Sequence, residues 1–341
     1  SDDACVYGYL IPSNMFAVVT LGYTAEIMRE IYKDEKVAAR AEKLASEIRD
    51  GIEKYGVVPK QVQPESYQSD HTDRFVAMMN RLLRKDAMEL RELVLAGKDP
   101  YGRKQEMLAE IYKAECIAFG QPVQTFDFAY RDKDKVFHEE RNLTPQEFYQ
   151  KYVGISLRDY VPVIHEPTPD KPLHRLIRFH GIENMAGSDM EALHLSQEEL
   201  EDLCITQLKA GQAVWFACDA GAFGARKDGV WDPDSVQYEA LLGGFSTDMP
   251  KGERLQYGSS SATHAMLLTG VHFDGDGKAD RWKIENSWGK DVGDQGYFVC
   301  SAKYFKEYVY EAVIDRRHFS PDQAAMLETE PVVINAWDED A

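Results

Sequence analysis

The hydrophobic period of this chain changes at about Ala213, and that change restricts its fold more than any other feature. Before it, apolar residues recur at three- and four-residue steps, as in Ala38, Ala41, Ala45, Ile48 and Ile52, which lines one face of a helix. After it come short runs of the strand type: Ala213–Cys218, Ala265–Phe273, Arg281–Trp288, Gly296–Cys300 and Val309–Asp315. Helices followed by a strand-rich half predict an α+β fold class, not alternating βα units.

Punctuation residues set the expected helix limits. Ser13-Asn14 caps a helix running to about Ile31. The next helical run ends at Val57-Val58-Pro59, because Pro59 lacks an amide proton and disfavours helix in the residue before it. An amphipathic helix is expected over Asp73–Ala96, with Phe75, Met79, Leu82, Leu90, Leu93 and Val94 inward and Gly97 closing it. Another runs over Lys104–Phe119 and stops at Gly120-Gln121-Pro122. Thr144-Pro145-Gln146-Glu147 and Ser196-Gln197-Glu198-Glu199 are capping boxes, and Gly211 ends the second of these helices. No repeat, low-complexity tract or long flexible linker is visible.

Composition excludes several function classes. With 44% hydrophobic and 11% aromatic residues among 341, the chain can bury a full core, which excludes disorder as its main state. The longest apolar stretch, Met15–Leu21, is far short of the roughly 20 residues a bilayer span needs, so no membrane partner is expected. Thirty-nine Lys and Arg against 58 Asp and Glu give a net charge of −19, which repels phosphate backbones and argues against nucleic-acid binding. The first residues, Ser1-Asp2-Asp3-Ala4-Cys5, have neither the basic nor the apolar region of a signal peptide. Cys5, Cys116, Cys204, Cys218 and Cys300 are odd in number and widely spaced, which fits reduced thiols in a cytoplasmic compartment. No CxxC or clustered His/Cys spacing suggests zinc, and no cofactor is expected.

Of nine histidines, His71, His138, His165, His174 and His318 lie in polar, loop-like surroundings and are expected to be solvated. His264 differs, because Ser260-Ser261-Ala262-Thr263 leads it into an apolar strand, at the mouth of a sheet. Twenty-two residues on, Asn286 closes the next expected strand, in Glu285-Asn286-Ser287-Trp288-Gly289. Adjacent antiparallel strands would bring its amide oxygen to the imidazole, fixing the tautomer, with Trp288 covering the pair. A satisfied core histidine is the alternative reading. The turn Asp274-Gly275-Asp276-Gly277-Lys278-Ala279-Asp280 has alternating acidic residues but no bidentate Glu near a twelfth loop position. A plain hairpin turn is therefore expected there.

Thr263-His264-Ala265-Met266 followed by Glu285-Asn286-Ser287-Trp288-Gly289 resembles the bleomycin hydrolase/aminopeptidase C branch of papain-like cysteine peptidases. The similarity extends through Glu53-Lys54-Tyr55-Gly56-Val57-Val58-Pro59-Lys60, Pro64-Glu65-Ser66-Tyr67, Tyr130-Arg131-Asp132-Lys133-Asp134 and Thr144-Pro145-Gln146-Glu147-Phe148-Tyr149. It continues at Ala213-Val214-Trp215-Phe216-Ala217-Cys218-Asp219, Tyr308-Val309-Tyr310-Glu311 and Ala336-Trp337-Asp338, and so covers about Glu53 to Ala341. It implies a papain-like cysteine peptidase fold with helical insertions, peptide substrates cut from the amino end, and homohexameric rings with inward-facing sites. By the same resemblance His264 is the general base and acid, Asn286 its orienter, and Trp288 their neighbour. The C-terminal residue of such proteins lies in the cleft, here Ala341, although the tail after Trp337-Asp338 is shorter than usual.

The chain departs from this pattern at the nucleophile. No Gly-Arg-Cys-Trp stretch, nor the glutamine that precedes it, occurs in the sequence. Cys116, Cys204, Cys218 and Cys300 fall in helical or apolar strand-like runs and are expected to be buried structural thiols. Cys5 remains as a candidate, beside Asp2 and Asp3, whose charges would raise its pKa. The stretch from Ser1 to about Tyr55 resembles instead a part of the exo-α-1,6-mannosidases, in which Asp2 or Asp3 would correspond to the general acid. Inverting hydrolysis needs a second carboxylate about 6.5–9.5 Å away, and the resemblance contains none. The expected organisation is therefore a helical segment over 1–55 and a papain-like region over 56–341 without its nucleophile-bearing part. A cysteine aminopeptidase is the leading functional expectation. A catalytically inactive oligomerising or binding subunit and a glycosidase fragment stand as alternatives.

Overall fold

A computed structural model describes residues 55–59, 61–64, 66–132, 134–180 and 189–335. The helices expected before residue 53, together with Asp2, Asp3, Cys5 and Ala341, lie outside the described residues. The chain divides into two compact units, which meet in sequence at Ile155 and Ser156.

The described part of the first unit contains α1 (Tyr67–Asp70), α2 (Asp73–Leu95), α3 (Tyr101–Phe119), β1 (Phe126–Arg131), β2 (Phe137–Leu143) and α4 (Pro145–Phe148). The inward face expected for α2 is the covered one: Met79 is buried, and Phe75, Leu82, Leu90, Leu93 and Val94 are partly so. Phe75 meets Phe119 of α3 edge-on, with ring centroids 4.8 Å apart. Arg103 ties the two helices together through Glu89 at 2.7 Å. α3 begins three residues before the expected Lys104, because the Asp99 carboxylate accepts the Tyr101 N–H at 3.0 Å and starts the helix directly after Pro100. The Thr144 box forms as its residues demand. The hydroxyl accepts the Glu147 N–H at 3.2 Å and the Glu147 carboxylate accepts the Thr144 N–H at 2.8 Å. The antiparallel β1–β2 hairpin has no clear signal in the sequence, since β2 reads FHEERNL and buries only Leu143. Leu143 and Phe126 join Val57, Val58, Phe148 and Tyr149 in a small core.

The second unit is built on one mixed sheet. Its elements are β3 (Tyr160–Ile164), β4 (Arg175–His180), β5 (Met190–His194), α5 (Gln197–Lys209), β6 (Val214–Cys218), β7 (Gly224–Ala225) and β8 (Val230–Trp231). They continue with α6 (Tyr238–Leu241), α7 (Lys251–Gln256), β9 (His264–Phe273), β10 (Ala279–Glu285), β11 (Tyr297–Ser301), α8 (Ala302–Tyr308), β12 (Val309–Asp315), α9 (Pro321–Met326) and β13 (Val332–Asn335). Among the described residues, eleven strands follow the order β13-β4-β5-β3-β12-β6-β9-β10-β11-β8-β7. The central run from β3 to β11 is antiparallel throughout. Alternation sends Val214, Phe216 and Cys218 of β6, with Met266 and Leu268 of β9, into one core. α5 and α8 supply Leu200, Leu203, Tyr304 and Phe305 to that core.

Sequence reading placed β6, β9, β11 and β12 well but ended β10 too late. The run expected over Arg281–Trp288 leaves the ladder at Glu285, because Asn286 turns its N–H to Gly296 O and its side chain to the Ser287 N–H. β3, β4, β5, β7, β8 and β13 were not read from the sequence; β7 and β8, with two residues each, are too short to establish a period.

Candidate functional site

His264 is the first residue of β9, and Asn286 directly follows the last residue of β10, its antiparallel neighbour. The strand ends therefore deliver both side chains to the same end of the sheet, between its interior strands. The hairpin that joins these strands is closed by Asp274, whose carboxylate accepts the N–H groups of Asp276 and Lys278, both at 2.9 Å. Its acidic residues thus make a turn of backbone-binding type.

His264 Nε2 lies 2.9 Å from Asn286 Oδ1. The Ser287 N–H also reaches Oδ1, at 2.8 Å. A backbone N–H can only donate, so the amide oxygen is the atom that faces both groups. The ring nitrogen beside it must then be the protonated one, which leaves Nδ1 as the basic nitrogen of the neutral imidazole. Nδ1 has no hydrogen-bond partner among the described residues. Asn286 Nδ2 is buried and likewise lacks one among the described residues.

Trp288 stacks on His264, with centroids 4.8 Å apart and planes 23° from parallel. The indole is held by Trp231 at 5.8 Å and by the edge of Phe298 at 5.7 Å. The imidazole is thus oriented by an amide and covered on one face, while one nitrogen stays free to exchange a proton. That arrangement suits general acid–base work beside a nucleophile.

Behind the pair runs a polar network that the sequence did not reveal. The Ser260 hydroxyl donates to Asp219 Oδ2 at 2.7 Å and lies 2.7 Å from the Tyr310 hydroxyl. The Thr263 N–H donates to Cys218 O at 2.9 Å, and Thr263 Oγ1 accepts the Ala220 N–H at 3.1 Å. These bonds pin the entry to β9 on the end of β6, and so fix where His264 starts. The only sequence signal was the small polar run Ser260–Thr263.

The described thiols of the second unit do not join the site. Cys204, Cys218 and Cys300 are buried, whereas Cys116 on α3 is only partly so, which corrects the expectation of four buried thiols. A helix side facing outward explains the difference, since Ile117 next to it is 76% exposed. Burial pushes the Cys218 thiol up to about 12 and the Cys204 and Cys300 thiols up as well. His165 also departs from expectation. It is partly buried, its Nδ1 is 2.9 Å from Leu195 O, and burial with nearby Lys251 pushes its pKa down. The remaining polar-loop histidines have partners: His138 meets Asp132, His174 meets Glu199, His318 meets Gln212, and His71 stacks on Tyr67.

No helix among the described residues is long and apolar enough to cross a membrane. Residues 1–73 match the metal-independent alpha-mannosidase (GH125) family, and residues 47–341 match the peptidase C1-like family, so the two overlap over 47–73. Aminopeptidase C of Listeria monocytogenes serovar 1/2a is 39% identical over 288 residues, covering 84% of this chain and 65% of the relative. Bleomycin hydrolase of Homo sapiens is 38% identical over 296 residues, again 84% of this chain and 65% of the relative. The chain thus spans slightly less than two thirds of the length of these curated relatives. Among solved structures, PepW of Lactobacillus rhamnosis HN001 superposes with a TM-score of 0.83 at 37% identity, over 96% of this chain and 77% of that one. The papain-like α+β architecture follows from this likeness, and with the match over residues 47–341 the chain belongs to the peptidase C1-like family.

Proposed function

We propose that this chain carries the base and orienting half of a cysteine aminopeptidase site, with peptides as its substrates. The observation that carries the reading is the His264 Nε2 to Asn286 Oδ1 distance of 2.9 Å, beneath the stacked indole of Trp288. In the complete reaction, His264 Nδ1 takes the proton of a cysteine thiol, and the thiolate attacks the peptide carbonyl. The imidazolium then returns the proton to the leaving amine, which departs as the C–N bond breaks. Water, deprotonated by His264, cleaves the thioester and restores the thiol. Asn286 holds the ring through both proton transfers. The names of the aminopeptidase C and bleomycin hydrolase relatives support peptides as the substrate class.

The thiolate is the part that the described cysteines of the second unit do not supply, since Cys204, Cys218 and Cys300 are buried with raised pKa values. The chain alone is therefore expected to bind peptide at His264 without turning it over. Two measurements test this. Tri-alanine should shift the His264 ring signals in nitrogen-15 NMR, and an aminoacyl-aminocoumarin at neutral pH under reducing conditions should show background hydrolysis only. Undisturbed His264 signals would sink the site assignment. Turnover that iodoacetamide and His264→Ala both abolish would keep His264 and reveal a nucleophile in this chain, with Cys5 the first to mutate.

The same reading includes a homohexamer of cytoplasmic type, which the family resemblance and the absence of disulfides among the described cysteines support. Sedimentation velocity tests the assembly. The reading also takes 1–55 as the mannosidase-like helical segment and 56–341 as the papain-like region without its nucleophile-bearing part. The buried thiols favour a second reading, an inactive binding subunit with the same surfaces. A glycosidase fragment rests on the match over residues 1–73 alone, and an α-mannoside assay decides it.

A further inference from the structure

Trp288 has a cationic partner in addition to its aromatic ones. The Arg226 guanidinium carbon lies 4.2 Å from the centroid of the indole. Arg226 sits on the turn between β7 and β8, which is closed by the Asp228 N–H and the Gly229 N–H, both donating to Ala225 O at 3.0 and 2.9 Å. Two close approaches fix this turn. A Cβ on Gly224 would lie 2.5 Å from Trp231 Nε1, and one on Gly229 would lie 2.7 Å from Gly293 Cα. The Val299 N–H also donates to Gly229 O at 2.8 Å. The turn bearing Arg226 is therefore locked, backbone against backbone, to the segment that follows Trp288.

Stacking on an indole satisfies the face of a guanidinium and leaves its edge of N–H donors unused. Arg226 is exposed, and its donors make no hydrogen bond or ion pair among the described residues. By contrast Arg254 and Arg317, in the same unit, are bound to Glu307 and Asp315. A cation held 4.2 Å from the centre of the indole that also stacks on His264, with its fork of donors free, matches one ligand chemistry well, a carboxylate bound through both oxygens. The net charge of −19 makes the point sharper, because the bulk field of the chain repels carboxylates and only a local cation can hold one.

We propose that Arg226 is a specificity-determining residue that binds a carboxylate on the part of the peptide leaving from His264. The proposal rests on the reading of His264 as the base that protonates the leaving amine. The carboxylate is the free C-terminus of a short peptide or an acidic side chain at the same distance. Either would favour peptides with negative charge just beyond the cleaved bond.

Nitrogen-15 NMR of the full chain tests this with three probes: tri-alanine, tri-alanine amide and Ala-Asp-Ala amide. The signals followed are the Trp288 indole N–H and the His264 ring nitrogens. Tri-alanine or Ala-Asp-Ala amide should bind about 3- to 10-fold more tightly than tri-alanine amide, the range for an exposed charge pair of good geometry. Whichever of the two binds more tightly names the source of the carboxylate. Arg226→Gln should remove the preference, and Arg226→Lys, which keeps charge but not the planar fork, should restore it only in part. Arg226→Gln that shifts the indole signal yet keeps the carboxylate preference would reduce Arg226 to a structural clamp on Trp288 and overturn the proposal. Equal binding of all three probes would do the same while leaving His264 in place. If no probe moves the His264 signals, the site reading itself has failed.

Discussion

Cys218 stands directly opposite His264 across the β6–β9 ladder, and yet the two do not form a thiol–imidazole pair. The Cys218 side chain is fully buried in the core, its thiol pushed up to about 12, and the imidazole turns instead to Asn286. At pH 8 its thiolate fraction is on the order of 10⁻⁴, too small for rapid alkylation. Iodoacetamide at that pH should label Cys116 of the folded protein, leave Cys204, Cys218 and Cys300 untouched, and reach all four in urea. Peptide mass spectrometry reads this directly. Rapid labelling of Cys218 that slows in His264→Ala would mean that the two residues do act as a pair.

Asn286 fixes His264 by accepting two hydrogen bonds on one oxygen. Asn286→Ala should remove both and cost about 1–2 kcal/mol in chemical denaturation. Its specific signature is in the imidazole. In the parent the ring should be a single tautomer with Nε2 protonated, and in the variant both tautomers should appear in the nitrogen-15 spectrum. A parent ring already divided between tautomers would show that the amide does not orient it.

The His264–Asn286 end of the β9–β10 hairpin was legible in the sequence and its surroundings were not, for physical reasons. β9 and β10 are long enough to show a period, and a polar run followed by an apolar strand marks His264 as a strand-mouth residue. Asn286 was readable because residues at the facing ends of a hairpin must meet. Arg226 was not, since its role depends on a two-residue strand and a turn whose place is set by Gly229 against Gly293. His165 looked like a loop histidine because the residues that cover it come from α5, β5 and α7, far away in sequence. Local polarity says nothing about which distant element will pack on a loop.

His194 makes the fold acid-sensitive. The ring is buried, with Nδ1 3.2 Å from Pro172 O and Nε2 accepting the Glu166 N–H at 3.2 Å. The Glu166 bond requires a neutral imidazole, because a protonated Nε2 would face a donor, whereas Nδ1–H donates to Pro172 O in either charge state. Burial, with the neighbouring His165 ring at 5.9 Å, pushes its pKa from 6.5 down to about 4. A depressed folded pKa means that the unfolded chain binds the proton first. The stability is therefore present above pH 6.5 and is lost as pH falls towards 4, by an amount of order 2–3 kcal/mol. Urea denaturation across that window should show the loss, and His194→Gln, which cannot titrate, should flatten it. An unchanged slope in the variant would assign the acid sensitivity to other groups.

Lys251 is the internal tie of the second unit. Its ammonium donates to Gln197 Oε1 at 2.8 Å, Val309 O at 2.6 Å and Lys306 O at 3.1 Å, and lies 4.9 Å from the centre of the Tyr310 ring. One buried side chain from α7 thus joins the start of α5 to the junction of α8 and β12. The neighbouring Gly252 lets the backbone of α7 settle against Pro167, where a Cβ would lie 2.1 Å from the carbonyl oxygen. Lys251→Met keeps most of the volume but leaves buried acceptors without a donor. It should cost about 2–3 kcal/mol in chemical denaturation. Lys251→Arg should not rescue it, since a planar fork cannot converge on three acceptors placed around a single nitrogen. Both variants should keep the His264–Asn286 tautomer signature, because the tie and the site are anchored by separate bonds. Wild-type stability in Lys251→Met would show that these three bonds contribute nothing net, and that packing alone holds α7 in place.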